Sequence, residues 1–323
     1  MPVIGFHASH EQMHPSALLA AVQDAEQAGF TAAMCSDHIS PWSERQAHSA
    51  FAWTWLGAAL QATGLPFGVV NAPGQRYHPA IIAQAIGTLS AMYEGRFWVA
   101  LGTGENSNEH ITGDRWPRKE LRNARLLECV EIIRALLAGE EVSHHGLVTV
   151  DRARVWTRPE TPPLLIGAAV SVETAGWVGG WADGLATIAQ EPAKLTEMIE
   201  AYRSAGGSGP LVLQVHLSYA PTLDEARAIA YDQWRSNVFA PPVCWDLDHV
   251  TAFDAASVTA RMEDVEKAVF VSADPQEHAA HLAELAELGF DEIYLHHVGQ
   301  TQHRFLDVFG EQVLPELDVT RKL

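Results

Sequence analysis

Apolar runs of strand length alternate with amphipathic helical stretches along nearly the whole chain, a pattern that predicts a parallel sheet with helices outside it. Eight runs have strand character, near Val3–His7, Thr31–Ser36, Pro66–Val70, Phe97–Leu101, Leu164–Gly167, Gly184–Ile188, Leu211–Ser218 and Glu292–His296. Eight such units close a barrel, so the expected fold is an α/β (β/α)8 TIM barrel forming one domain over 1–323. Between the runs, Ser16–Ala28 puts Leu18, Leu19, Val22 and Ala25 on one helical face, and Pro79 suits the first turn of a helix at Pro79–Met92. Gly29, Gly95 and Gly289 each fall after a helix and before a strand, where a positive φ closes the helix.

Four stretches exceed what a barrel needs: 37–51, 103–118, 141–157 and 236–268. In the third, Val142, Val148, Val150 and Val155 alternate with polar residues, which predicts a small hairpin near Gly146.

Composition narrows the function classes. With 47% hydrophobic residues in 323, the chain can bury a large core. Lys plus Arg is 21 against 40 for Asp plus Glu, giving a net charge of −19 that argues against nucleic acid or an anionic membrane as partner. The basic residues are spread out, which leaves room for one local anion site and so for a phosphorylated cofactor. Cys35, Cys129 and Cys244 stand in no paired or metal-ligand spacing and read as free thiols. The chain opens on Pro2-Val3-Ile4-Gly5-Phe6 without a basic leader, and no segment reaches the roughly 20 apolar residues of a membrane span, so a cytoplasmic protein is expected.

The loops at the carboxyl ends of barrel strands build the active site in this fold. That rule nominates His7, Asp37 with His38, Asn71, Gly102 to Glu105, Gly167 to Ser171, Ile188 to Gln190, His216 with Tyr219, and His296 with His297. His38 can serve as a general base whose basicity a neighbouring carboxylate raises; alternatively Asp37 caps a turn and His38 is a surface residue. Gly102-Thr103-Gly104-Glu105 either lets a planar ring or phosphate approach the backbone or is a tight exit turn. Gly167-Ala168-Ala169-Val170-Ser171 leads into a helix whose free N–H groups suit an anion, or is a small-residue packing joint. Among the aromatic residues of the second loop, Trp42 stands out because it follows Asp37-His38 by one short turn. Neither His144-His145 nor His296-His297 has a third ligand at recognisable spacing, so no metal is expected.

Several ordered motifs together make the chain similar to the luciferase-like monooxygenase superfamily, and within it to the deazaflavin-dependent glucose-6-phosphate dehydrogenases. They are Gly5-Phe6-His7-Ala8-Ser9, Ser36-Asp37-His38 with Pro41-Trp42, Arg76-Tyr77-His78-Pro79-Ala80, Gly102-Thr103-Gly104-Glu105 with Asn108-Glu109, and Ala182-Asp183-Gly184. The resemblance implies that Asp37 lies by the cofactor ring, that His38 takes a substrate hydroxyl proton, and that Trp42 and Glu105 stabilise or protonate around the ring. It places a non-prolyl cis peptide at Val70-Asn71 and lines the cofactor tail with Gly104, Asn108 and Gly167 to Ala169. Where the sugar-phosphate dehydrogenases carry a Ser-Gly-Lys that grips phosphate, this chain has Ile188-Ala189-Gln190-Glu191, which puts a phosphosugar substrate in doubt. The resemblance is greatest to a subgroup of non-F420 flavinoid oxidoreductases, so FMN is the first expectation and coenzyme F420 the alternative.

The sequence thus predicts a flavin- or deazaflavin-dependent oxidoreductase that transfers a hydride to or from a small organic substrate. Two other readings remain: a two-component monooxygenase using reduced FMN and oxygen, and a non-catalytic flavin-binding protein. A flavin reductase or an F420-linked redox partner, and a homodimer, are expected from the resemblance.

Overall fold

In the computed structural model, which describes residues 2–317, the alternating pattern folds into a closed parallel barrel. Its first four strands are β1 (Val3–Ala8), β2 (Ala32–Ser36), β3 (Phe67–Asn71) and β4 (Phe97–Leu101). An antiparallel hairpin of β5 (Val142–His145) and β6 (Thr149–Ala153) interrupts the series, as the alternating valines predict. Then come β7 (Leu165–Ala168), β8 (Leu185–Ile188), β9 (Leu211–Tyr219), β10 (Phe270–Ser272) and β11 (Glu292–His297). Around the barrel the order is β1-β2-β3-β4-β7-β8-β9-β11, and β11 closes on β1 with Val3 opposite Glu292 and Phe6 opposite Leu295.

All eight expected runs lie on barrel strands; β10 has no counterpart in the sequence reading. It is three residues long, too short to show a period, and it pairs with Leu217–Tyr219 of β9. Leu217 pairs with His297 on its other edge, so β10 occupies the edge of β9 that β8 leaves free beyond Ile188–Gln214.

Helices cover the outside. Pro15–Ala28 buries Leu18, Ala21, Val22 and Ala25, a stripe whose large members each stabilise the fold by about 1.5–3 kcal/mol. Inside the barrel, Val3, Ala32, Met34, Trp98, Ala100, Ile166, Ala186, Val212 and Tyr294 form an apolar plug. Since side chains alternate along a strand, the next inward positions above this plug are His7, Gln214, His216 and His296 on one side and Val70, Gly102 and Ala168 on the other. Among the described residues no helix is long and apolar enough to cross a membrane.

The expected cis peptide at Val70-Asn71 is not present. Both residues continue the ladder of β3, opposite Ala100 and Leu101, and their carbonyls accept from Asp37 N and Gly102 N at 2.9 Å each. An extended trans link satisfies both edges there, and the cis bond among the described residues is Pro241–Pro242.

Candidate active site

Just past the end of β2, Asp37 is buried and its N–H still donates to the Val70 carbonyl of β3. Its Oδ2 accepts from the Trp53 indole at 3.2 Å and from Asn71 Nδ2 at 2.9 Å. Arg76 reaches the same residue, donating to the Asp37 carbonyl at 2.6 Å and lying 3.6 Å from Oδ2. Its other neighbour is Glu109, whose Oε2 accepts from Arg76 N at 2.7 Å and whose Oε1 is 3.5 Å from Nε. A buried guanidinium thus bridges two buried carboxylates, an arrangement in which losing any member strands a charge.

His38 points to a different acid from the one its sequence neighbour suggests. Asp37 is committed to Trp53, Asn71 and Arg76, while His38 Nδ1 lies 2.7 Å from Glu11 Oε1. Glu11 is further held by Ser9 Oγ at 2.7 Å, and although burial opposes its charge, these bonds keep its pKa down at about 2. An ionised carboxylate only accepts, so Nδ1 carries the proton of that bond and Nε2 is the basic nitrogen. Burial disfavours the imidazolium, but the Glu11 hydrogen bond and charge, with Glu105 adding to them, outweigh it and raise the His38 pKa.

Glu105, after β4, is the second titrating group of the mouth. Desolvation, with Glu11 and Glu109 as like charges, pushes its carboxyl up to about 7 against the opposing pull of His38. The loop that carries it depends on Gly104, whose φ is +77° and whose added Cβ would fall 2.9 Å from Glu109 Cγ. Any other residue at 104 is strained in its backbone and crowds the acid that binds Arg76.

The opposite side of the mouth is also rich in histidine. His7 stacks on His296 with ring centroids 4.4 Å apart, and His216 lies 5.3 Å from His296. The polar neighbours of His216 and His296 are amides: Gln12 Oε1 is 2.7 Å from His296 Nε2, and Gln214 Nε2 is 3.0 Å from His216 and 3.3 Å from His296, while the ring nitrogens of His7 have no hydrogen-bond partner. Desolvation dominates, lowering His7 to about 4, His216 to about 3 and His296 well below the ordinary range. These imidazoles are neutral at neutral pH.

The remaining nominated residues divide. Trp42 meets His38 edge-on at 5.4 Å and Phe253 at 5.3 Å. The second loop is fixed to the late insertion through Asp254, on the helix Val250–Ala256, which accepts from Ser43 Oγ at 2.7 Å and pairs with Arg45 at 2.7 Å. Asn108 spends its side-chain oxygen on Ile39 N at 2.9 Å and Ser40 N at 3.4 Å, holding the loop that presents His38. Gly167 does not face the mouth: a Cβ there would lie 2.4 Å from Val178 Cγ1, so close helix packing explains it. Ala169 is likewise buried in the outer core, whereas Ala168 packs on the inner plug. Ser171 Oγ caps the following helix by accepting from Thr174 N at 3.2 Å. His297 stacks on Phe305 at 5.1 Å, and His144 pairs with Glu128 at 2.9 Å, away from this cluster.

Glu11, Trp53 and Arg76 escape the sequence reading. Glu11 follows β1, so the same rule that nominated His7 could have reached it. Arg76 lies within a quoted motif, but nothing local to it reveals two buried acids.

A planar cofactor ring fits this mouth on the observation of unused acceptors. Asp37 Oδ1 and Asn71 Oδ1 are buried and have no hydrogen-bond partner, matching ring N–H donors. Beside them an added Cβ on Gly102 would meet nothing nearer than Ala168 Cβ at 3.6 Å, and Val70 and Ala168 supply an apolar floor.

Comparison with known proteins identifies the family. The family described as luciferase-like monooxygenase matches residues 2–292. An F420-dependent glucose-6-phosphate dehydrogenase of Microbacterium testaceum is 34% identical over 97% of this chain and 96% of its own length. An F420-dependent hydroxymycolic acid dehydrogenase of Mycobacterium tuberculosis is 32% identical over 97% of this chain and 88% of its own. Among solved structures, an F420-dependent secondary alcohol dehydrogenase in complex with an F420-acetone adduct superposes with a TM-score of 0.90 at 28% identity, covering 98% of this chain and 99% of the other. The chain belongs to the luciferase-like monooxygenase family and is an oxidoreductase of that class.

Proposed function

We propose that the protein exchanges a hydride between bound coenzyme F420 and a small uncharged alcohol or its carbonyl counterpart, with His38 as general base. The observation that carries this reading is the Glu11–His38 pair at 2.7 Å, beside a Glu105 that titrates at about 7. F420 takes precedence over FMN because relatives at 32–34% identity over 97% of the chain are named F420-dependent. When bound, the deazaflavin supplies the carbon that accepts or returns the hydride.

The chain's own residues do the rest. Asp37 Oδ1 and Asn71 Oδ1 are the free acceptors for the ring edge, and Gly102, Thr103 and Gly104 offer backbone that a flat ring can approach. His38 Nε2 takes the hydroxyl proton as the carbinol C–H leaves as hydride, and Glu11 stabilises the imidazolium that results. Glu105 holds the second proton near neutrality, and Trp42 walls His38 from the side. Asn108 keeps the His38 loop in place, while Val70 and Ala168 form the floor. The absence of a lysine from Ile188-Ala189-Gln190-Glu191 favours an uncharged substrate.

The test is a fluorescence titration of the purified protein with F420 and, separately, FMN, followed by addition of small secondary alcohols. F420 binding and alcohol-dependent loss of its oxidised absorbance are expected. Tight binding of FMN alone would overturn the cofactor choice, and bound F420 that no small alcohol or ketone turns over would overturn the substrate class.

A further inference from the structure

We infer that His7, the inward residue near the end of β1, hydrogen-bonds a second, uncharged hydroxyl of the substrate beyond the carbinol that reacts, so that diols are preferred to simple alcohols. The inference rests on the proposed function and deepens it, giving the neutral side of the mouth a task.

Position is the first argument. Side chains alternate along β1, so His7 shares the inner face with Val3 of the plug and stands above it. Glu11 follows on the same loop and holds His38, and both are near enough to act on the charge of His7. On its other side His7 stacks on His296 at 4.4 Å, and Trp234 closes on His216 at 4.5 Å and on His296 at 5.0 Å. His7 is therefore where the two sides of the mouth meet. His10 also lacks partners for its ring nitrogens, but it packs edge-on at 4.9 Å against Trp55 in the outer core.

Unused bonding capacity is the second. The neighbours of His7 satisfy one another: Gln12 Nε2 donates to the Val298 carbonyl, which turns Oε1 toward His296 and makes His296 Nε2 the donor of their 2.7 Å bond. His296 Nδ1 is then an acceptor, and Gln214 Nε2 has one hydrogen for it and one for His216 Nε2. His7 is 3% exposed, yet among the described residues neither of its ring nitrogens has a hydrogen-bond partner. A buried polar ring without partners is costly, and a ligand that supplies one recovers that cost. Desolvation holds its pKa down at about 4, so at neutral pH the ring presents one N–H donor and one bare nitrogen. That pair complements a hydroxyl, which both accepts and donates. A charged group fits less well: an anion would meet a neutral ring and the Glu11 carboxylate, and a cation would find Glu11 engaged through both oxygens, Oε1 with His38 and Oε2 with Ser9.

The test assays the F420-loaded protein with 2-pentanol and with pentanediols whose second hydroxyl lies on the first, second or third carbon from the carbinol. At least one diol should show a kcat/KM about tenfold above that of 2-pentanol, chiefly through KM, as expected for one neutral hydrogen bond. His7→Phe, which keeps a ring to stack on His296 and removes both nitrogens, should bring that ratio to about one, with the dissociation constant for F420 unchanged by fluorescence quenching. His7→Gln, which keeps a donor and an acceptor, should retain part of the preference. Oxidation of 2-pentanol as fast as of every diol overturns the inference and leaves the proposed function standing. So does a diol preference that survives His7→Phe, in which case the ring nitrogens serve only a buried water, or F420 binding weakened by that variant, which would give His7 to the cofactor. No turnover of any alcohol or diol by the F420-loaded protein overturns the proposed function itself, and this inference with it.

Discussion

On the β2 side of the mouth His38 lies 2.7 Å from a carboxylate and its pKa is raised; on the β9 and β11 side His216 and His296 face amides and other imidazoles, and theirs are lowered. Both groups are largely withdrawn from water, so depth does not separate them. A charged partner in hydrogen-bond contact does. Glu11 offsets the desolvation of an imidazolium, whereas Gln12 and Gln214 serve a neutral ring equally well and leave burial to decide. One side can move protons near neutrality, and the other is a polar but uncharged surface.

The comparison breaks most sharply at the bases themselves. His38→Ala should lower kcat/KM about 10²–10⁴-fold with F420 binding retained, while His296→Gln should leave the pH profile unchanged. If both variants lose the same limb of the profile in steady-state assays, the distinction between the two sides is wrong. Glu11 gives the sign on the active side: its negative charge holds the proton on His38, so Glu11→Gln should shift the acidic limb of kcat/KM to lower pH.

Arg76 tests how much of the charged side is scaffold. Arg76→Met leaves Asp37 and Glu109 buried without their shared cation, and a stability loss of about 3–5 kcal/mol is expected by urea denaturation. A loss under about 1 kcal/mol would mean that the two acids accept protons or water at little cost.

The smallest effect concerns stability against pH, where the two sides have opposite signs. His7 and His216 have folded pKa values of about 4 and 3, and His296 is also lowered, all below an unfolded value of about 6.5. Their contribution is fully present above pH 6.5 and is lost as pH falls, because the unfolded chain binds the protons first. Glu105, raised to about 7, and His38, also raised, act the other way, stabilising the fold at low pH and losing that contribution as pH rises through their folded values. The neutral histidines are more numerous, so the urea midpoint should climb from pH 5 to 6.5. His216→Gln should flatten that climb by up to ~1.4 kcal/mol per pH unit, and an unchanged slope would show that His216 is not held neutral.

The active side was partly legible. Asp37, His38, Trp42 and Glu105 are legible as residues of the barrel mouth because they follow strands whose apolar pattern is plain, and the barrel fixes where strand ends lie. The carboxylate that sets the basicity of His38 was not found, because Glu11 is 27 residues away and meets it only when β1 and β2 pair. Trp53 reads as one more aromatic of the second loop until its indole is seen on Asp37. At Gly167 the structure favours the packing-joint alternative, since a Cβ there would meet Val178.

The sequence by itself determined the eight strands, the order of helices between them, the hairpin and the end of the barrel that carries chemistry. These follow from local periodicity and from a closure rule that leaves one topology for eight βα units. Only the tertiary structure decided which side chains share protons and which histidines stay neutral. Those properties depend on desolvation and on charges within a few ångströms, supplied by residues that barrel closure brings together from distant parts of the chain.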